Sequence, residues 1–241
     1  MNSLEAHLRR QIDHSRNFFW HRLRWRAVAA HLPADRTFRL LDVGAGAGLL
    51  GVFVQRDFPR ASYLFVEPID SLARYLETVY GVGANAARLS SYRDIEYVLL
   101  LDVLEHQRDD RRFLAELLER ISPGATLIIT VPALSALWSG WDVALGHQRR
   151  YDRSSIRRVV DGLPARIVEV SYLFPEMIPF ALLRKRIRTV APDGHASEES
   201  AAFPDLPRLV NDGLYALGRC SLAVRHYAPA GSSLLTVLRK T

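Results

Sequence analysis

The stretch Leu40-Leu41-Asp42-Val43-Gly44-Ala45-Gly46-Ala47-Gly48-Leu49-Leu50-Gly51 decides the fold. A buried-type strand runs straight into alternating glycines, and the glycines run straight into the start of a helix. Small residues let the backbone turn tightly and approach a ligand closely, and the free N–H groups of the helix that follows face that ligand. Glu67 then stands at the end of the next strand-like run, where a carboxylate accepts hydrogen bonds from both hydroxyls of a ribose. Two readings of the loop compete. Gly46-Ala47-Gly48-Leu49-Leu50-Gly51 matches G-x-G-x-x-G with Glu67 about 20 residues on, the pattern of a nicotinamide dinucleotide site. The tight turn begins earlier, however, at Gly44, giving three alternate glycines preceded by Asp42.

Outward from this loop, short apolar runs alternate with longer amphipathic ones, which is the pattern of strand–helix units on a parallel sheet. Strands are expected over Phe38–Val43, Tyr63–Val66, Tyr97–Leu101 and Thr126–Val131. Helices are expected over Leu49–Arg56, Asp70–Tyr80 with Gly81 as its stop, and Asp110–Ile121 with Asp109 as N-cap. The strands are nearly continuous apolar runs, so both faces of the sheet should be covered. Residues 3–31 read as a helical segment ended by Pro33. After residue 151 come a capped helix over Asp152–Val160, a strand over Arg166–Phe174 and a final strand over Ser232–Arg239. Between the last two lie the apolar-basic segments Pro175–Arg188 and Leu206–His226, around a polar stretch, Pro192–Ser200, that reads as mobile.

Composition narrows the class. The 241 residues carry 32 basic and 26 acidic side chains, a net charge of +6, and the basic set is 30 Arg against two Lys. Apolar content of 49% and charged content of 24% match ordinary globular usage and exclude disordered and collagen-like chains. Cys220 is the only cysteine, which rules out an intramolecular disulfide framework and multi-cysteine metal sites; in its apolar run it reads as a small core residue. The polar N-terminus lacks a secretory apolar region, and no stretch reaches the roughly 18 apolar residues of a membrane-spanning helix. A reducing, cytoplasmic setting is expected. The basic excess reads as a solvated surface, with nucleic acid and anionic membrane as the partners it makes conceivable.

The Asp42-x-Gly44-x-Gly46-x-Gly48 arrangement resembles motif I of class I S-adenosylmethionine-dependent methyltransferases. Asp102-Val103-Leu104-Glu105-His106, and Ser122-Pro123-Gly124 before Thr126–Val131, are similar to that family's signatures flanking strands four and five. Val131-Pro132-Ala133, Trp138, Trp141-Asp142 and Gly146-His147-Gln148-Arg149-Arg150-Tyr151 resemble a bacterial subgroup distantly similar to ubiquinone-biosynthesis O-methyltransferases. The resemblance implies an α/β, Rossmann-like, seven-stranded, mostly parallel sheet with helices on both faces and an antiparallel last strand. It implies one domain: an N-terminal helical segment (1–33), a cofactor-binding core (34–174), a helical cap insert (175–231) and the final strand (232–241). One departure stands out, because residues 84–94 carry no acidic motif of a third strand.

The resemblance also implies S-adenosylmethionine as cofactor and S-adenosylhomocysteine as product. Gly44, Ala45, Gly46 and Gly48 would cradle the methionine part, with Asp42 orienting the loop. Glu67 and Pro68 would take the ribose, Asp102 and Leu104 the methionyl side, and helix 16–26 would close over it. Methyl transfer is an in-line displacement driven mainly by alignment, with a base needed only for a protonated acceptor. His106, just past a strand's carboxyl end, is the first base candidate, and it reads equally as a turn cap with Glu105. His147 and Asp142 read as catalytic or as ordering their loop. Trp138, Trp141 and Tyr151 read as acceptor contacts or core, and Arg149 and Arg150 as an anion clamp or a solvated pair. Glu105, His106 and His147 are metal-ligand types without helical i, i+4 spacing, so no metal is expected.

The expected function is methyl transfer to a small-molecule or isoprenoid- or lipid-linked acceptor, at oxygen in preference to nitrogen or carbon. The alternatives are a catalytically inactive binding module of the same fold and an NAD-dependent oxidoreductase. No nucleic-acid partner is expected, since no strand face interleaves aromatic and basic residues. Residues 177–188 combine an apolar run with Arg184-Lys185-Arg186-Ile187-Arg188. They read as a peripheral membrane contact at the inner face, a lid or a dimer contact.

Overall fold

The computed structural model describes residues 16–89, 91–188 and 206–241. Residues 3–15 of the helical segment expected over 3–31, and the polar stretch Pro192–Ser200, lie outside them. From residue 19 the chain runs α1 (Phe19–Ala29), β1 (Phe38–Val43), α2 (Leu49–Asp57), β2 (Ala61–Val66), α3 (Asp70–Tyr80), β3 (Tyr97–Leu101), α4 (Asp110–Arg120) and β4 (Thr126–Pro132). It continues through α5 (Gly140–Leu145), α6 (Arg153–Val160), β5 (Ala165–Leu173), α7 (Ile178–Arg188), α8 (Arg208–Ala223) and β6 (Ser233–Lys240). Helix starts follow local chemistry. Asp109 accepts from the Arg112 amide, and Asp152 accepts from the Ser154 and Ser155 amides.

The strand order is β2-β1-β3-β4-β6-β5. β2, β1, β3 and β4 pair in parallel, while β6 runs antiparallel to both of its neighbours. All seven residues of β4 are buried, the continuous apolar strand that a doubly covered sheet requires. One face packs Leu40, Leu99, Ile128 and Val237 with Leu23 and Val28 of α1, Phe53 of α2 and Leu222 of α8. The other packs Leu41, Val98, Leu127 and Leu238 with Leu114 and Leu118 of α4 and Ile156 of α6.

The described residues form six strands, where seven were expected. The segment that would supply the missing one, residues 82–88, makes two 3-10 turns and touches the sheet through a single parallel bridge from Asn85 to Phe65. The reason is local. Gly81, Gly83 and the alanines around Asn85 have low strand propensity, and the Asn85 side chain accepts from the Ala87 amide, turning the backbone away from the ladder.

Chain order reverses between β1 and β3, since β2 lies on one side of β1 and β3 on the other. In an open α/β sheet a ligand binds at such a switch point, outside the carboxyl ends of the strands. The loops after β1 and β3 are therefore placed side by side there. Across their top, α1 is joined to α8: the Phe19 amide donates to Asn211 Oδ1 (2.8 Å), Asn211 Nδ2 donates to the Asn17 carbonyl (3.0 Å), and the Arg22 guanidinium lies 3.7 Å over the Tyr215 ring. No helix among the described residues is long and apolar enough to cross a membrane. Cys220, expected in the core, is exposed on α8, whose inward face is carried by Gly218 and Leu222.

Candidate functional site

The glycine loop is held from three sides. The Gly44 and Ala45 amides donate to the Val66 carbonyl (2.7 and 3.2 Å), and Tyr80 Oη donates to the Gly48 carbonyl (2.7 Å). Glu67 closes it: the Gly46 amide donates to Oε2 at 2.7 Å and the Ile69 amide to Oε1 at 2.8 Å. Burial pushes the Glu67 carboxyl above its ordinary range, opposed by these two amides. The sequence reading placed Glu67 at the ligand but missed that it ties the loop. Gly44 (φ 73°) and Gly48 (φ 77°) sit in the left-handed region, and a Cβ on them would lie 2.7 Å from Val103 Cγ2 and 2.4 Å from Leu76 Cδ2 respectively. Asp42 is buried beneath the loop and accepts from Tyr63 Oη at 2.8 Å. Burial raises its carboxyl to about 7, against the pull of that hydrogen bond.

At the end of β3, Asp102 adopts φ 59°, an uncommon conformation for a residue with a Cβ. Its carboxylate pairs with the Arg24 guanidinium, which lies 4.7 Å over the Trp20 ring. Helix α1 thus supplies a charged wall directly opposite the glycine loop. Arg24 was not singled out from sequence, because its partner is 78 residues away.

Beyond Asp102, the turn Leu104–His106 meets the segment 137–150. Asp142, wholly buried, organises that segment. Its carboxylate accepts from Arg150 Nε (2.8 Å) and Nη2 (3.0 Å) and from the Ser139 amide (3.0 Å), closing a capping box at the start of α5. His147 Nδ1 lies 2.9 Å from Asp142 Oδ1. An ionised carboxylate only accepts, so Nδ1 donates its proton to Asp142 and Nε2 faces Glu105. Burial alone would raise the Asp142 carboxyl, but the His147 and Arg150 contacts hold it below its usual value.

His147 Nε2 comes within 3.9 Å of Glu105 Oε1, and the His106 ring stands edge-on to His147 with centroids 4.9 Å apart. Glu105 is wholly buried, and neither of its carboxylate oxygens has a hydrogen-bond partner in another residue. Burial, and then the neighbouring Asp102, push its carboxyl well above the normal range, while burial and His147 lower the imidazolium pKa of His106. One donor atom each from Glu105, His106 and His147 lie within 4.8 Å of one another, the one such metal-ligand grouping among the described residues. Sequence spacing hid it, because His147 arrives from a loop 41 positions after His106.

These two halves share one chamber of about 620 Å³. Asp42, Gly44, Ala45, Gly46, Glu67, Pro68 and Asp102 line one end; Glu105, His106, Ser139, Trp141, His147 and Arg150 line the other. Phe18, Leu137, Met177, Phe180, Leu206 and Leu214 form an apolar roof over it. Several residues singled out from sequence lie off its walls. Gly48 heads α2, Leu104 is in the core, and Asp142 stands behind His147. Arg149 pairs with Asp110 at 2.8 Å, and Tyr151 Oη lies 2.8 Å from the same carboxylate, so both brace α4. Trp138, at the C-cap of the 3-10 turn Ser135–Leu137, is also outside the lining.

Residues 4–170 match a family model described as a methyltransferase domain. No curated protein sequence matches the chain. Among solved structures, it is similar to phosphoethanolamine N-methyltransferase 2 of Haemonchus contortus in complex with S-adenosyl-L-methionine. The TM-score is 0.57 and the identity 16%, over 92% of this chain and 52% of that one, so the chain spans about half that protein's length. It is also similar to coclaurine N-methyltransferase bound to N-methylheliamine and S-adenosylhomocysteine (TM-score 0.55, 14% identity, 92% of this chain and 72% of that one). The [4+2]-cyclase SpnF is a third (TM-score 0.55, 14% identity, 90% and 79%). At these identities the likeness is one of fold.

Proposed function

The chain belongs to the methyltransferase-domain family, and on that premise we propose that it moves the methyl group of S-adenosylmethionine onto the oxygen of an apolar acceptor. In this reading the carboxylate of Glu67 uses its remaining lone pairs for the ribose hydroxyls, with Pro68 beside it. Gly44, Ala45 and Gly46 give the methionyl part a surface without side chains, and Asp102 takes its ammonium group. The acceptor lies against Trp141 and Arg150 under the apolar roof. Its oxygen attacks the methyl carbon in line, the S–CH3 bond breaks as the O–CH3 bond forms, and S-adenosylhomocysteine leaves. The hydroxyl proton passes to His106 or His147, with Asp142 fixing the second imidazole.

The observation that carries this reading is the single chamber, lined at one end by a glycine loop tied to Glu67 and at the other by a pair of half-buried imidazoles. The apolar roof, continued by exposed Phe180, Leu182 and Leu183 on α7, supports an isoprenoid- or lipid-linked acceptor. The same residues support peripheral contact with the cytoplasmic face of a membrane through 177–188. The resemblance of 131–151 to ubiquinone-type bacterial O-methyltransferases favours oxygen as the methylated atom.

Calorimetry with S-adenosylmethionine, S-adenosylhomocysteine and NAD tests the cofactor. Both adenosyl ligands should bind and NAD should not; silence from both adenosyl ligands would sink the reading. For the acceptor, radiolabelled methyl transfer onto a panel of prenylated phenols and lipid alcohols should yield ether products, and His106→Ala should lower turnover at saturating acceptor.

A further inference from the structure

The cluster at the acceptor end is built beyond what proton transfer needs. We propose that Glu105, His106 and His147 bind one divalent first-row transition-metal ion. Their donor atoms already lie within 4.8 Å of one another. An ion about 2.1 Å from each would hold tetrahedral ligands about 3.4 Å apart, a closure that side-chain rotation supplies.

Two independent features point to a cation. Glu105 is buried without a hydrogen-bond partner in another residue, and a buried polar group left that way is costly until a ligand meets it. The His147 imidazole, moreover, has one nitrogen already engaged from behind: Nδ1 is held by Asp142, which is itself pinned by Arg150 and the Ser139 amide, and the His106 ring stands edge-on to it. Such outer contacts fix the tautomer and turn the free nitrogen inward, as around metal-ligating histidines.

The donor set selects the ion. Two nitrogens and one carboxylate suit Zn²⁺, Co²⁺, Mn²⁺ or Fe²⁺ better than Mg²⁺ or Ca²⁺, which favour oxygen ligands. Three protein ligands leave a position open toward the chamber, the arrangement of catalytic rather than structural sites. On the methyl-transfer reading, and resting on it, that position takes the acceptor oxygen. The ion then lowers the hydroxyl's pKa, and the proton leaves to water instead of to an imidazole.

Untagged protein, stripped with chelator and dialysed, is titrated with Co²⁺ and followed by its visible absorption bands, with bound metal counted after equilibrium dialysis. One equivalent should bind with imidazole-type bands. Glu105→Gln and His147→Ala should each weaken binding at least about tenfold, and Asp142→Asn, which touches no ion, by about 10- to 100-fold. Should His147→Ala disturb its loop, Glu105→Gln decides, since it keeps the side chain's shape. No stoichiometric ion in the wild type, or equal binding by Glu105→Gln, overturns the site. Calorimetry with S-adenosylmethionine on the same samples separates the two readings. Cofactor binding without Co²⁺ binding refutes the metal site alone, and Co²⁺ binding without cofactor binding upholds the site and refutes methyl transfer.

Discussion

The two ends of the chamber are finished to different degrees. At the glycine loop the buried acidic groups have found partners: both oxygens of Glu67 accept backbone amides, and Asp42 accepts from Tyr63. At the other end Asp142 is saturated by Arg150, His147 and Ser139, yet Glu105 beside it has no such partner. The first end is a preorganised socket whose polar groups are satisfied before any ligand arrives. The second is a hydrogen-bonded frame around one unpartnered carboxyl group, a buried polar group that calls for an explanation.

The largest expected effect tests the frame. Asp142→Ala strands the buried Arg150 charge and should cost about 3–5 kcal/mol in urea unfolding, because breaking a buried ion pair from one side leaves an uncompensated charge. A loss below about 1 kcal/mol would mean that the acceptor end has no frame. Next comes the socket's dependence on pH. The Asp42 carboxyl titrates near 7 when folded against an ordinary 3.8, so the folded state prefers it protonated. Its contribution is full below about pH 4 and is lost as pH rises toward 7, a change of a few kcal/mol at about 1.4 kcal/mol per pKa unit. Unfolding of wild type and Asp42→Asn at pH 5 and 8 should show that the difference between them shifts with pH; a constant difference contradicts the assignment.

Glu67→Ala should weaken S-adenosylmethionine binding roughly 30-fold, about 2 kcal/mol, because two loop amides lose their acceptor. Calorimetry reads this directly. The smallest effect has the opposite sign. Glu105→Leu, of similar volume, should stabilise the chelator-treated protein by about 1 kcal/mol, since it removes an unpartnered buried carboxyl group and no hydrogen bond to another residue. A lowered melting temperature would erase the contrast between the two ends.

The socket was legible in the sequence because it is local. Strand, glycines and helix are contiguous from Leu40 to Gly51, and Glu67 stands one strand away. The acceptor end was legible only as a set of residue types, since its arrangement depends on the segment 137–150 folding back over the turn at Leu104–His106. The third strand failed for a local reason, at Asn85 and the small residues around it. Cys220 failed for a tertiary one: apolar side chains stand on both sides of α8, with Leu209 and Leu217 exposed on the outward side and Leu222 buried, so the sequence alone does not say which face meets the core. Arg24 could not be read at all, being tied to the site through a contact made only when α1 crosses the sheet.

The position of β6 has a consequence for how the molecule is made. Of the strands among the described residues it is the last to leave the ribosome, yet it lies inside the sheet, between β4 and β5. Until residues 233–240 emerge, β5 has no strand beside it and β4 presents an open edge to any other nascent chain. The glycine-loop end can form early, from neighbouring units, while the half of the sheet beneath the acceptor end waits for synthesis to reach its closing residues. The order of translation therefore puts the glycine-loop end first and the β4–β6–β5 half of the sheet last.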